Sequence, residues 1–398
     1  MRICKIYDGD YPWDVRVEKI TSTLVKNGHE VHLLCRNLKK RPVYEYLNKV
    51  HIYRLPYSKY SYINNILGFP AFFNPLWLLM IYRIVRKYSA DLILVRDLPL
   101  ALSAVFIGRL CRLPVIIDMA EDYPAMVRHI LKSEGFNPMN LIIRNPFLVE
   151  CIEALCVSRV DRIFTVILES KSRLMDQYHL DRSRIHIVSN TPRLSDVNMM
   201  ELTDRIPEPS RTIKLIYIGG LQEARNLDVV LKGMAVNTEN IDCTLTILGT
   251  GRGEDNLKKL VKTLRIQNKV IFKGWVEHNA IGNYLRTSDI GIIPHAVTKH
   301  TNTTVPNKLF DYMAYAKPVL ASDTKPVQRI IDSECCGLIY RYDSPEDFRD
   351  KLGRLTDRKI RASMGANGRK AIELRYNWEL DSGNLLDAIE KCTLHQHL

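Results

Sequence analysis

Short β-branched runs alternate with amphipathic stretches along the whole chain, and the series runs twice. It opens with a strand-like run at 3–7, a helical pattern over 16–26, an Asn27-Gly28 turn and a second strand-like run at 31–35. That is a βαβ opening. Further strand-like runs lie at 51–55, 92–95, 115–118, 162–166 and 185–188, with helical patterns such as 99–111 between them. The pattern lapses over 195–211, a polar stretch containing Pro207 and Pro209, which reads as a linker. It restarts with runs at 213–218, 243–248, 270–272, 290–293, 319–321 and 337–340. Strand–helix alternation predicts a parallel sheet with helices on both faces, and 398 residues exceed what one core organises. The expected class is α/β: two Rossmann-like doubly wound domains, 1–194 and 213–375, joined by a linker at 195–212 and facing a central cleft. Residues 376–398 are expected to form a helix that packs back on the N-terminal domain.

Composition narrows the setting. The net charge is +13, which suits an anionic partner such as a nucleotide, a polyprenyl phosphate or an acidic membrane face. The nine cysteines include no C-x-x-C pair, so neither zinc nor a disulfide framework is expected, in keeping with a reducing cytoplasm. The N-terminus turns polar too early for a secretory signal. Residues 60–82 hold no formal charge and include Phe69, Phe72, Phe73 and Trp77. Two readings stand side by side: a monotopic or lipid-facing surface over 60–82, or a core helix over 75–88 preceded by an apolar loop. The expected location is cytoplasmic, with peripheral contact on the inner face of the cell membrane.

Three turns carry the chemistry. The run at 213–218 leads into Gly219-Gly220-Leu221-Gln222-Glu223-Ala224-Arg225, where glycines let a phosphate approach the backbone and Arg225 can clamp two phosphate oxygens. Gly249-Thr250-Gly251 is a second turn of this kind. In the stretch from Val305 to Asp323, Pro306 is placed in the first turn of a helix and Lys317-Pro318 ends it. Asp311 can accept two neighbouring sugar hydroxyls, and Lys308 lies one turn earlier on the same face. A surface Lys–Asp pair on an amphipathic helix is the alternative.

These residues resemble the signature of glycosyltransferase family 4, the retaining group 1 enzymes with the GT-B fold. Tyr217-Ile218-Gly219-Gly220 to Arg225, Phe272-Lys273-Gly274-Trp275-Val276, Ser288-Asp289-Ile290-Gly291 and Asn27-Gly28-His29-Glu30-Val31 fit the same family in order and spacing. The resemblance implies a nucleotide-sugar donor and a glycan or polyprenyl-phosphate-linked acceptor, with no metal, no other cofactor and no nucleic acid. It places Asp311 on the ribose, Arg225 with Gly219, Gly220, Gly249 and Lys308 around the diphosphate, and Trp275 and Val276 beside the base. The backbone of Thr304, Val305, Pro306 and Asn307 would hold the donor sugar. Asp122, in the loop after the run at 115–118, would orient the acceptor; a capping carboxylate is the other reading. Arg225, Lys308 and Asp122 are the catalytic candidates, and Asp14 and Arg16 are expected to border the acceptor or diphosphate.

The chain departs from the pattern at Thr303, where the first of two glutamates stands in the family, at Gly220, where an arginine is usual, and at Ala316, in place of a glycine. Lys308 is expected to replace part of the cation missing at Gly220. Asp8-Gly9-Asp10 superficially resembles a metal-binding Asp-x-Asp, but that motif belongs to a single-domain arrangement. A nucleotide-sugar epimerase, a catalytically inactive relative and a basic nucleic-acid-binding protein are the alternatives. The last lacks any aromatic–basic strand motif or helix-turn-helix signature.

Overall fold

A computed structural model describes residues 1–57, 60, 64, 71–134, 145–198, 212–236 and 241–394. The chain forms two compact units, Met1–Ser189 with Asp381–Leu398, and Asn190–Leu380.

In the first unit eight strands make one sheet: β1 (Arg2–Tyr7), β2 (Glu30–Cys35), β3 (Tyr44–Leu47), β4 (Val50–Arg54), β5 (Leu92–Arg96), β6 (Val115–Met119), β7 (Arg162–Thr165) and β8 (Ile185–Ile187), in the order β3-β4-β2-β1-β5-β6-β7-β8. All pairs are parallel except β3–β4. The sequence pattern did not reveal β3. Its alternate residues are exposed, as on an edge strand, and Asn48 and Lys49 both take positive φ (52° and 62°), forming a two-residue hairpin turn. β5 and β6 are buried throughout, and their leading residues 92–95 and 115–117 are apolar because helices cover both faces.

The helix Pro75–Lys87 is N-capped by Asn74, whose side chain accepts from the Leu76 N–H at 2.9 Å. Its Trp77 is fully buried in the core, which removes Trp77 from the lipid-facing surface expected over 60–82. Phe69 lies outside the described residues. The exposed apolar residues here are instead Phe73, Leu79 and Tyr82, with Phe106 and Leu110 on the adjacent helix Ala101–Cys111. Among the described residues no helix is long and apolar enough to cross a membrane.

The second unit holds six parallel strands: β9 (Ile213–Ile218), β10 (Cys243–Leu248), β11 (Val270–Gly274), β12 (Ile290–Ile293), β13 (Val319–Ser322) and β14 (Gly337–Tyr340), in the order β11-β10-β9-β12-β13-β14. Counted from β9 this is the 3-2-1-4-5-6 order of a doubly wound sheet. Strand order reverses at β9/β12, as it does at β1/β5 in the first unit. At such a reversal the two crossovers leave in opposite directions, opening a crevice beyond the carboxyl ends of the strands. The proposed linker begins with a short helix, Leu194–Asn198, and 199–211 lie outside the described residues.

Candidate functional site

In the second unit, β9 and β12 deliver their loops to that crevice. Gly219 follows β9 with φ +137°, and a side chain there would meet Lys308 Nζ at 2.9 Å. The backbone angle is what requires the glycine, and the end of the lysine side chain lies beside it. Gly249, after β10, has φ +142°, and a Cβ on it would stand 1.9 Å from the Gly219 carbonyl oxygen. The two glycine turns are therefore packed backbone to backbone. Gly249 also donates its N–H to the Gly274 carbonyl at 2.7 Å, which ties in the end of β11.

Lys308 opens the helix Lys308–Ala314, so Pro306 stands ahead of the helix and not in its first turn. The Pro306 carbonyl accepts from Leu309, and Asn307 is the cap, without a side-chain hydrogen bond. The surface Lys–Asp alternative also fails, because Lys308 is buried. Its Nζ lies 3.9 Å from the centre of the Tyr217 ring, a cation–π contact. Burial, then the Arg225 charge, pull the Lys308 pKa well below the ordinary lysine value against the opposing pull of Asp311. Asp311, half-buried, lies one turn along.

Tyr312 fixes this helix to the sheet. Its hydroxyl receives the Ile218 N–H at 3.2 Å and faces the carbonyls of Ile216 and Ile292, each at 3.3 Å. Its ring occupies the space that a side chain on Gly291 would need, since a Cβ there would come within 2.3 Å of it.

Arg225 ends a 3-10 turn, Glu223–Arg225. Its Nη1 lies 3.2 Å from Nε2 of His295, which follows β12 and is buried. Burial, with the nearby charges of Lys308, Arg225 and His300, holds the His295 pKa well below its usual value, so the ring is neutral and Nε2 accepts from Arg225. Among the described residues no carboxylate pairs with Arg225. Sequence reasoning missed His295. The signal was a histidine directly after the proline that ends a fully apolar strand, a place where a polar side chain lines the crevice.

The structure thus gathers Gly219, Gly220, Arg225, Gly249, Lys308 and Asp311 at the carboxyl ends of β9, β10 and β12. Thr304, Val305, Pro306 and Asn307 form the approach to the helix that carries Lys308. Thr303 turns its hydroxyl into its own loop, toward the carbonyls of Lys299 and His300 at 3.0 and 3.1 Å. Trp275 is 72% exposed beyond the end of β11, with Val276 partly buried next to it.

In the first unit, Asp122 caps the helix Tyr123–Glu134: Oδ1 accepts from the Ala125 N–H at 3.0 Å and Oδ2 faces Arg173 Nε at 3.4 Å. Both oxygens of this buried carboxylate are engaged. The expectation for Arg16 needs correction. Asp14 caps the helix Val15–Lys26 through the Val17 N–H, and Arg16 is buried against Asp118, with Nη2 2.5 Å and Nε 3.0 Å from Oδ1. Asp8 pairs with Arg36, and Asp10 accepts from the Leu38 N–H.

Beneath the β1/β5 reversal, Lys5, Arg16, Arg96, Asp97 and Asp118 form a buried charged cluster that sequence reasoning also missed. Burial pushes the Asp118 carboxyl up, but Arg16 and Arg96 overcome it and hold the pKa down at about 2. Lys5 Nζ is fully buried without a hydrogen-bond partner, and burial lowers its pKa from 10.5 to about 8. A base whose folded pKa lies below its unfolded value disfavours folding fully below the folded pKa. The penalty fades as pH rises from about 8 to 10.5. Lys5→Met is therefore expected to stabilise the protein at pH 7 by up to about 3 kcal/mol, a gain that shrinks by pH 10. Denaturant melts at both pH values check this, and a variant less stable than wild type at pH 7 would refute it.

Comparison with known proteins agrees with this fold. Residues 14–191 match the family model described as Glycosyltransferase Family 4, and residues 200–371 match Glycosyl transferases group 1. An uncharacterized glycosyltransferase of Methanocaldococcus jannaschii is 21% identical over 92% of this chain and 90% of that protein. The UDP-Gal:alpha-D-GlcNAc-diphosphoundecaprenol alpha-1,3-galactosyltransferase of Escherichia coli is 19% identical over 75% of each. Among solved structures, sucrose-phosphate synthase of Thermosynechococcus elongatus shares the fold with a TM-score of 0.75, at 15% identity and 98% coverage of both chains.

Proposed function

Because the chain belongs to glycosyltransferase family 4, the group 1 glycosyltransferases with the GT-B fold, we propose that it moves a hexosyl or N-acetylhexosaminyl group from a nucleoside-diphosphate sugar to a glycan or polyprenyl-phosphate-linked acceptor. The reaction proceeds with retention, needs no metal, and serves cell-surface polysaccharide biosynthesis. The observation that carries this reading is the meeting of Arg225 and Lys308 beyond β9 and β12, with no carboxylate on Arg225 among the described residues. As the sugar–diphosphate bond breaks, negative charge grows on the leaving oxygen. Preorganised cations lower that barrier because they need no rearrangement as the charge develops. Asp311 takes the ribose hydroxyls, Gly219, Gly220 and Gly249 admit the phosphates, and Trp275 and Val276 flank the base.

Thermal-shift titration with UDP-, GDP- and ADP-sugars tests the donor assignment. A ligand at 100 times its Kd stabilises by about 2.7 kcal/mol, and the Arg225→Ala variant should lose that shift. No shift with any donor in the wild type, or an equal shift in the variant, would overturn the assignment. Conversion of the donor to an epimer without any acceptor would identify the isomerase alternative, which the family membership does not favour.

We also propose that the first unit rests on an anionic membrane face, where a lipid-linked acceptor would be presented. Support comes from exposed Phe73, Leu79, Tyr82, Phe106 and Leu110 beside exposed Arg83, Arg86, Lys87, Arg109 and Arg112. The two helices Pro75–Lys87 and Ala101–Cys111 contain no acidic residue. Basic residues near an acidic bilayer contribute about 1 kcal/mol each. Exchanging Arg83, Arg86 and Lys87 for Gln is thus expected to weaken co-sedimentation with phosphatidylglycerol vesicles on the order of 100-fold. Equal binding by variant and wild type would count against this surface.

A further inference from the structure

We infer that His295 is a positioning residue for the diphosphate end of the donor, holding the Arg225 guanidinium in place through a neutral imidazole nitrogen. This rests on the proposed reading of Arg225 as a diphosphate contact. An arginine side chain has about 2 kcal/mol of rotamer entropy to lose, and Arg225 ends a short turn with no carboxylate to hold it among the described residues. The polar contact described for its guanidinium is His295 Nε2, at 3.2 Å.

The chemical type of that partner matters. A carboxylate would orient the guanidinium equally well but would cancel the charge that a diphosphate must meet. A protonated imidazole has no lone pair to offer and would repel the cation. A buried neutral histidine orients Arg225 and leaves its full charge for the ligand. The environment enforces that state, since burial and the charges of Lys308, Arg225 and His300 all disfavour a second proton on the ring.

His295 is itself held firmly. It is 4% exposed, and its carbonyl accepts from Ser322 Oγ at 2.6 Å, which joins it to the end of β13. Next to it the Ala296 N–H reaches the Ala224 carbonyl at 3.4 Å. The loop after β12 therefore grips the turn that carries Arg225 at two points, one through backbone and one through side chains.

Calorimetric titration of the wild type, His295→Ala, His295→Gln and Arg225→Ala with UDP and uridine, and with GDP and guanosine, tests the inference. Losing one hydrogen bond to a charged group corresponds to about a tenfold change in affinity. His295→Ala is expected to weaken diphosphate binding by about that factor and leave nucleoside binding unchanged. His295→Gln, whose amide oxygen can accept from Arg225, should recover most of the loss. In an Arg225→Ala background, His295→Ala should have no further effect. An equal loss for nucleoside and diphosphate, no loss for the diphosphate, or failure of Gln to restore binding would each overturn the role. If Arg225→Ala itself leaves diphosphate affinity unchanged, the reading of Arg225 falls, and this inference falls with it. If Arg225→Ala weakens the diphosphate and His295→Ala does not, only the inference about His295 fails.

Discussion

Arg225→Ala is expected to lower kcat/KM for sugar transfer by about 10²- to 10³-fold, the usual consequence of removing one preorganised group aimed at developing charge. The size follows from the surroundings. Lys308 is the basic group next to Arg225 at this end of the sheet, and its burial disfavours its protonated form. With Arg225 removed, one repulsive charge disappears and Lys308 protonates more readily, so part of the loss is compensated in ground-state binding. The transition state carries more charge on the diphosphate than the bound donor does, and there a single buried ammonium is a poor substitute for a guanidinium able to hold two oxygens. The loss should therefore appear in kcat as well as in KM, with every donor the wild type accepts. Steady-state rates of nucleoside diphosphate release in the presence of acceptor measure it. Rates within threefold of wild type would remove Arg225 from the mechanism.

Arg16→Ala is expected to destabilise the protein by about 3–5 kcal/mol, the cost of leaving one member of a buried ion pair alone. Asp118 is fully buried, and Arg16 supplies three of its charge-assisted contacts, between 2.5 and 3.1 Å. Arg96 remains, but its Nη1 is 3.4 Å away and also faces the Asp118 carbonyl. The variant should either protonate Asp118 or admit water into the sheet face, and each of these costs stability. For a unit of this size 1 kcal/mol corresponds to about 2–4 °C in Tm, so melting of the first unit should fall by about 10 °C. Replacing both partners, as Arg16→Met with Asp118→Leu, should cost less than Arg16→Ala alone, because the buried carboxylate is not left behind and Arg96 keeps its ion pair with Asp97. Calorimetry of the three proteins decides this; a double variant less stable than Arg16→Ala would show that the pair has a different role.

Much of the architecture was legible beforehand, for reasons local to the chain. Runs such as 92–95 and 290–293 are apolar throughout and short, as expected of strands covered on both faces, and the helical patterns between such runs supply the crossovers. Gly219 and Gly249 stood at strand ends, where turns demand positive φ. The hairpin strand β3 was not legible, because Tyr44–Leu47 is an exposed edge with no apolar face to announce it. Trp77 was ambiguous for the opposite reason: an apolar residue in an apolar segment carries no information about which side of the helix faces the core.

The sequence by itself determined two parallel-sheet units, their glycine turns and the helix bearing Lys308 and Asp311, since all of these rest on periodicity and local turn chemistry. Only the tertiary structure decided what those residues meet. Arg225 and His295 lie 70 positions apart, and Arg16 and Asp118 lie 102 apart. Strand order, and not chain order, makes them neighbours: β12 returns beside β9, and β6 follows β5 next to β1. The charge state of each group then follows from that neighbourhood. Lys308 reads from sequence as either a cleft cation or a surface lysine until Tyr217 and Arg225 close around it, and Arg16 reads as a ligand-facing cation until the fold seals it against Asp118.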